Sequence, residues 1–591
     1  MAPALGYLLF QIGAPLGLVN FVTGVGLSTF AAAALRAGLS LGLSYAVNRL
    51  TAPQQPRPSD GQLELKQPIP PRSSHYGRVK VAGALAFYES RSGKLTKDIL
   101  LSARQIDAVE AYYINDNEVT IDETGAVLTK PFVKDGNHYA RLQAQLGTDD
   151  QVANPLIADG YTEWTSDHRL RGIANIAARF GTPSADQFGS VFPNGEPAVA
   201  VLIRGSLLYD PRLDGSVSGG IGSHRHDDKS TWAWSENLGL AILDHLTHPD
   251  AYNRSITKID LPSFMAYADL CDEDVPLAAG GTEKRYRIAT TVTLTEARKD
   301  VLSRLLAAGD AELYSTRDGK IAIRGGKWVD PVVTLDHDLG HILQAKFSSP
   351  DALSRYTELV IQYLSGPLGY VEDEAEPWQD VDAIAATGIL ESEPLDLSQV
   401  PSAPQARRLA KIKMARDSAP WIVELTTNLY GLNCIGERVI RLKYPELGID
   451  GPFFIDRPPA LSDDLTGLTL TLRSARSAAY SWTTDEEGVS SSIPPDTAPD
   501  LDLPPPSFVL SEGAGPTIVA NWTPDPAANR SYEARYRPDP GSTYTAMTVA
   551  GARDSATSGT VVAGDYKVSI RTLVVGEAVG DWSAEQGITI T

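Results

Sequence analysis

CDEDVPLAAGGTEKRY, residues 271 to 286, places three consecutive carboxylates, a proline and a double glycine between two apolar stretches. Carboxylates beside a cysteine suit a metal or proton chemistry, whereas Gly280-Gly281 followed by Thr282-Glu283 suits a polar turn. The flanks decide. Upstream, WAWSENLGLAILDHLTHP (232–249) sets Leu238, Ile242 and Leu246 four residues apart, as on one helix face, and Pro249 closes the element. A second helix is predicted after Asp260, a capping residue, with Pro262 just inside it and LPSFMAYADLC as its body. Downstream, RYRIATTVTL alternates like a strand. TLTEARKDVLSRLLAAG then offers a capping box at Thr293 and Glu296, an apolar face at Val301, Leu302, Leu305 and Leu306, and Gly309 as terminator. AELYSTRDGKIAIRGG reads as a hairpin turning at Asp318-Gly319. The order helix, acidic Gly-Gly loop, strand, helix, hairpin describes an α+β module, with the quoted run as a surface loop between helix and strand.

Working outward, RVKVAGALAFYES and VEAYYINDNEVTIDETGAVL, broken by turns at Asn115–Asn117 and Glu123–Gly125, predict a strand-dominated domain. PAVAVLIRGSLLYDPR adds a buried strand ending near Asp210 and Pro211, followed by the glycine-rich loop LDGSVSGGIGSHRHDDKST. Beyond the module come the basic helical run QARRLAKIKMARD and the β-rich LTLTLRSARSAAYSW, then SSSIPPDTAPDLDLPPP, a tract too rich in Ser, Pro and Asp to build a core. The tail has a sandwich cadence in TIVANW, YEARYRP, GDYKVSIRTL and WSAEQGITIT. Trp522 and Tyr566 sit where a fibronectin type III domain, which this tail resembles, keeps its core tryptophan and corner tyrosine.

The predicted fold class is α+β multidomain: β-rich domains with an α+β insertion module, hydrophobic N-terminal helices and a C-terminal β-sandwich. The boundaries read are a Gly/Ala-rich helical segment at 1–52, a linker at 53–72, a β-rich domain at 73–225 and the α+β module at 226–330. A mixed α/β domain follows at 331–484, a spacer at 485–506 and the sandwich at 507–591. Several domains are required, because single cores stop growing near about 250–300 residues and this chain has 591.

Composition excludes several functions. A net charge of −21 gives no footprint for gripping a phosphate backbone, although it would let DNA pass without sticking. With only Cys271 and Cys434, the chain holds no disulfide framework, four-cysteine zinc site or cysteine-ligated iron–sulfur cluster. No charged side chain occurs between Met1 and Arg36, a length that would span a bilayer, and GAPLG (13–17) and GLSLG (38–42) set small residues four apart, as in close helix pairs. Two readings fit: a membrane anchor, or a helical hairpin buried among neighbouring subunits.

Of the chemical motifs, His337-Asp338-Leu339-Gly340-His341 imitates the HExxH zinc helix with a shorter acid and a helix-weakening glycine; the plainer reading is a polar turn and helix start capped by Asp336 or Asp338. His224, Arg225, His226, Asp227 and Asp228 resemble a metal cluster, but Arg225 would oppose a cation among them. His245 and His248 share a helix end, where histidines favour the dipole. There is no G-x-S-x-G elbow and no P-loop, and Cys434 in LNCIG reads as packed. No catalytic, cofactor-binding or metal residue is assigned.

The stretches WAWSENLGLAILDHLTHP, SFMAYADLCDEDVP and GGTEKRYRIATTVTL, with the ARKDVLSRLLAAG helix and the DGKIAIRGG hairpin in that order, resemble the central tail hub proteins of long non-contractile-tailed phages, the family of the lambda tip attachment protein. YGRVKVAGALAFYE, YTEWTSDHRLRGIA, AVLIRGSLLYDPR and QARRLAKIK extend the resemblance over roughly residues 70–480. It implies β-rich tail-hub domains in a homotrimer at the virion tail tip. Such a trimer closes the tail tube beneath the distal tail protein ring, contacts the tape measure protein and opens for DNA ejection, with tail fibre or receptor-binding proteins and the host envelope as further partners. No catalysis and no cofactor are implied. This chain is much shorter than the lambda protein, with a single terminal sandwich and no long fibre region, so the resemblance does not extend to receptor recognition. Two other readings stand beside it: a metal-dependent hydrolase using His337 and His341, and a membrane-anchored adhesin.

Overall fold

The computed structural model describes residues 70–134, 136–184, 187–349, 355–462, 466–489, 505–525, 530–574 and 578–591, all within the compact unit Pro58–Thr591. The predicted N-terminal helices, most of the 53–72 linker and most of the 485–506 spacer lie outside these residues. What is described is β-rich and multidomain.

Two sheets enclose the first core. Ala84–Arg91, Lys94–Ser102, Ala174–Gly181 and Ala140–Gln145 form one, antiparallel throughout. Ala233–Trp234, Val199–Leu208, Ile106–Ile114 and Asn117–Val119 form the other, and Arg78–Val81 also pairs with Val199–Leu208. Because strand side chains alternate, Ile99 and Leu101 point inward to meet Ile176, Phe180, Val201 and Ile203. Between Ser73–Tyr76 and Arg78–Val81 the chain turns at Gly77 with φ +70°, where an added Cβ would lie 1.8 Å from the Ile288 carbonyl oxygen. Only glycine fits there.

Thr96 and Asp98 face the other way, beneath a flap in which Ile157, Tyr161 and Trp164 pack with Phe87 and Ala177. Asp98 and Asn175 are fully buried here, and Asn175 Nδ2 donates to Asp98 Oδ1 at 2.9 Å. Asp98 Oδ2 and Asn175 Oδ1 are left without a hydrogen-bond partner. Burial pushes the Asp98 carboxyl up to about 7, against the opposing pull of the Asn175 bond. Since its folded pKa lies above the unfolded value, its contribution to stability is fully present below about pH 4 and is lost as pH rises through about 7. Asp98→Asn, which stays neutral, should melt higher than the unsubstituted chain at about pH 8 and differ little at about pH 4, as thermal unfolding at the two pH values would read.

A second core crosses the boundary predicted at residue 330. The helix Leu261–Cys271 begins as the sequence predicts, capped by Asp260 onto the Ser263 N–H, whereas the element read from Trp232 is helical only over Leu238–Thr247, capped by Asn237 onto the Leu240 N–H. The third differs. Glu296 accepts from the Thr293 N–H at 2.8 Å, but the helix starts only at Arg298, behind Ala297, with no side-chain cap. Half the predicted box therefore forms, one turn ahead of the helix. Of RYRIATTVTL only Thr290–Thr293 is strand, paired with Ser73–Tyr76, while the Ala311–Ser315 and Ile321–Gly325 hairpin turns as expected at Gly319. Against this module sits a sheet in which Glu358–Ser365 pairs antiparallel with Val371–Gln379 and parallel with Ser392–Leu397, backed by the helix Ala403–Asp417. Phe264, Tyr286 and Leu305 share one core with Leu359, Ile361, Ala406 and Leu409. The basic run is a helix, as read, and its Arg407 and Arg408 are both buried.

A seven-stranded sheet carries a third core of Leu335, Val423, Leu425, Leu442, Phe453, Leu470 and Leu472. It combines Thr334–Asp336 and Ile342–Ser348 with strands drawn from 422–474. Residues just beyond it, inside the stretch read as spacer, fold back: Glu486 receives Lys411 Nζ, and its carbonyl accepts from Arg407 Nε at 3.0 Å. The tail is a sandwich of two antiparallel sheets. Trp522 lies in its core, and the Tyr566 hydroxyl donates to the Val562 carbonyl at 2.8 Å, the local bond of a tyrosine corner.

Candidate functional site: the acidic loop and its arginine clasp

Cys271–Tyr286 is a hairpin rather than a free loop: Asp274–Pro276 pairs with Thr282–Lys284, and Gly280 and Gly281, both at positive φ, make its tip. Its carboxylates are all engaged. Asp272 meets Arg212 at 2.8 Å, Glu273 meets Arg285 at 3.0 Å and Lys327 at 2.7 Å, and Asp274 meets Lys284 at 3.0 Å. Glu283 is buried, contrary to its reading as a surface residue, because Arg408 stands 2.8 Å away in the helix Ala403–Asp417, with Arg287 at 3.2 Å and the Ser402 hydroxyl donating at 2.5 Å. Arg408 also donates to the Arg285 carbonyl, while Gln405 accepts from the Arg287 N–H and donates to the Arg287 and Ala308 carbonyls. Burial pushes the Cys271 thiol well above its ordinary range, which makes it a packed group and not a nucleophile. The run that looked like a site is a clasp between the helical module and the helix Ala403–Asp417.

His337–His341 forms a turn, with Gly340 at φ +71°, and not a helix start. The two histidines diverge. His341 stacks on Tyr430 with ring centroids 3.8 Å apart, whereas His337 Nδ1 lies 3.0 Å from Glu446 and 3.8 Å from Asp338. The donor atoms of His337, Asp338 and Glu446 all lie within 4.8 Å of one another, a set without His341. Any divalent-ion affinity at this turn should therefore survive His341→Ala and fall in Glu446→Ala, which titration calorimetry with Zn²⁺ distinguishes.

The second cluster is dispersed by the fold. His224 is buried and accepts from the Asp210 N–H at 3.2 Å, Arg225 pairs with Asp214 at 2.9 Å, and Asp228 caps the turn Lys229–Thr231. His226 packs between Tyr209 and Trp232. At the end of Leu238–Thr247, His248 is pulled down to about 4 by burial and by Arg104, so it carries no charge toward the helix dipole at neutral pH. His245 packs edge-on against Tyr252. Beside them Arg104 grips the buried Asp244 bidentately, at 2.7 and 3.0 Å, and the Tyr76 hydroxyl donates to the same carboxylate at 2.7 Å. A cavity of about 80 Å³ lies next to this triad, bounded by His245, His248 and Arg298. Cys434 is buried, its thiol pushed up to about 12 by that burial.

Sequence reading missed Arg212, Arg104, Gln405 and Arg408. Their partners lie far along the chain, as with the 125 residues between Glu283 and Arg408, and no local pattern announces them.

No protein-family model matches the chain, and no curated protein does. Among solved structures it is similar to virion and tail proteins. One is in the virion of a native gene transfer agent particle, at 15% identity and TM-score 0.48, spanning 76% of this chain and 97% of that one. Another is the 43 kDa tail protein of prophage MuSo2 from Shewanella oneidensis, at 12% identity and TM-score 0.26, spanning 70% of this chain and 100% of that one. The fibronectin type III domain of human collagen XX is similar at 28% identity and TM-score 0.13, spanning 16% of this chain and 98% of that domain. With TM-scores below 0.5, these similarities fix neither family nor function.

Proposed function

We propose that the chain is a structural virion protein, the central hub of the tail tip of a phage or phage-like particle. The observation that supports this most is the clasp: the run at the centre of the hub resemblance has all four of its carboxylates tied to arginine or lysine. A catalytic loop needs accessible groups free to change partner, whereas a body that holds shape under assembly needs cross-bracing. In this reading three copies close the tail tube beneath the distal tail protein ring, contact the tape measure protein and part for DNA ejection at host attachment. The net charge of −21 lets DNA slide past without sticking. The terminal sandwich serves as a peripheral arm.

A gold label on the C-terminus of the chain in purified particles should appear at one end of the tail. Label along the whole tube, or none on the particle, would reject the assignment. The hydrolase reading made on His337 and His341 loses His341 to its stack on Tyr430 and would have to rest on His337, Asp338 and Glu446. Cell-wall hydrolysis by the purified chain, lost in His337→Ala, would favour it.

A further inference from the structure

Between Arg355 and Arg407 the sequence holds ten carboxylates and not one lysine, arginine or histidine. These residues form the three-stranded sheet of Glu358–Ser365, Val371–Gln379 and Ser392–Leu397, and the helix Val381–Thr387 that links its last two strands. Among the described residues none of the ten carboxylates forms an ion pair, although most acids of the neighbouring module do. Glu372, Glu374, Glu376, Asp382, Glu391, Glu393 and Asp396 are exposed.

The linking helix is unusual. A short helix is ordinarily held by burying one face, yet Val381–Thr387 buries no residue. Val381 is 71% exposed, and Ile389 and Leu390, just past its Gly388 cap, are 57% and 45% exposed. An uncovered apolar centre set among exposed carboxylates, with Arg355 the nearby cation in sequence, has the anatomy of an interface awaiting a partner. The rim states its sign.

We propose that this surface docks another protein through an apolar patch ringed by lysine and arginine. The charge excludes nucleic acid and anionic membrane. A second copy seated face to face would set carboxylates against carboxylates. The surface belongs to the chain itself and stands apart from the tail reading.

The test uses the full chain and two helical peptides of equal positive charge, one with leucine and lysine on opposite faces and one with serine in place of leucine. The leucine peptide should bind in a salt-sensitive manner and protect residues 381–393 from hydrogen exchange. Its affinity should fall about tenfold or more in Val381→Ser/Ile389→Ser/Leu390→Ser and in Asp382→Asn/Glu391→Gln/Glu393→Gln, while the serine peptide binds more weakly throughout. Equal binding of both peptides, or affinity unchanged in both variants, would overturn the proposal. Self-association of the unsubstituted chain that the triple serine variant abolishes would also overturn it, by making a second copy the occupant. Exchange protection on the unsubstituted chain decides the matter should a variant misfold.

Discussion

Arg408→Ala is expected to cost the helical body about 3–5 kcal/mol, because it strands Glu283 in the interior. Both side chains are almost wholly buried, so solvent does not replace the lost guanidinium. The remaining Arg287 is 3.2 Å from Glu283 and more exposed, and the Ser402 hydroxyl satisfies one oxygen only. Hydrogen exchange of the amides in Leu261–Cys271 should speed up by about a hundredfold or more, the factor that a loss of about 3 kcal/mol implies. Removing the charge from both sides, as Glu283→Gln/Arg408→Met, should restore most of the stability, since a buried pair replaced whole costs little. A double variant as unstable as the single one would mean that Arg408 acts through its packing on Trp482, 5.6 Å away, and not through the clasp.

Asp310→Ala should be comparably damaging, at about 3–5 kcal/mol. This buried carboxylate receives Arg438, Arg416 and the Tyr480 hydroxyl, each at 2.8 Å, and so ties the helical module to the seven-stranded sheet and to the turn that follows it. Burial pushes the Asp310 carboxyl up, but Arg438 and Arg416 outweigh that and hold it below the ordinary range. With the folded pKa depressed, its contribution is present above the unfolded value of about 4 and is lost as pH falls through the folded one. Asp310 sits at φ +49°, a conformation asparagine also tolerates, so Asp310→Asn separates charge from backbone. The asparagine variant should lose stability at neutral pH and lack the acid-labile step of the unsubstituted chain. An acid limb of the same size in both would assign that step elsewhere.

Local chemistry was legible and distant chemistry was not. Asp260 with Pro262, and Asp318-Gly319, act within a few residues of themselves, so their helix and hairpin could be read directly, whereas the Asn237 cap went unread behind the apolar spacing of its helix. Arg407 and Arg408 lay in a run that any composition rule assigns to solvent; their burial depends on Glu283 and on the carbonyls of Glu376, Pro377 and Glu486, remote in sequence. At HDLGH the polar turn is as read, because Gly340 takes a left-handed conformation that ends any helical spacing of the two histidines, but no helix starts there. Asp244, the centre of the Tyr76 and Arg104 triad, sits inside a helix that the apolar spacing predicted, yet its partners lie 168 and 140 residues away.

The mass of the purified, assembled protein tests the hub most directly. Light scattering on the full chain should return a particle of three copies, stable on dilution. A compact, soluble single copy that persists at high concentration and turns over substrate would contradict the account.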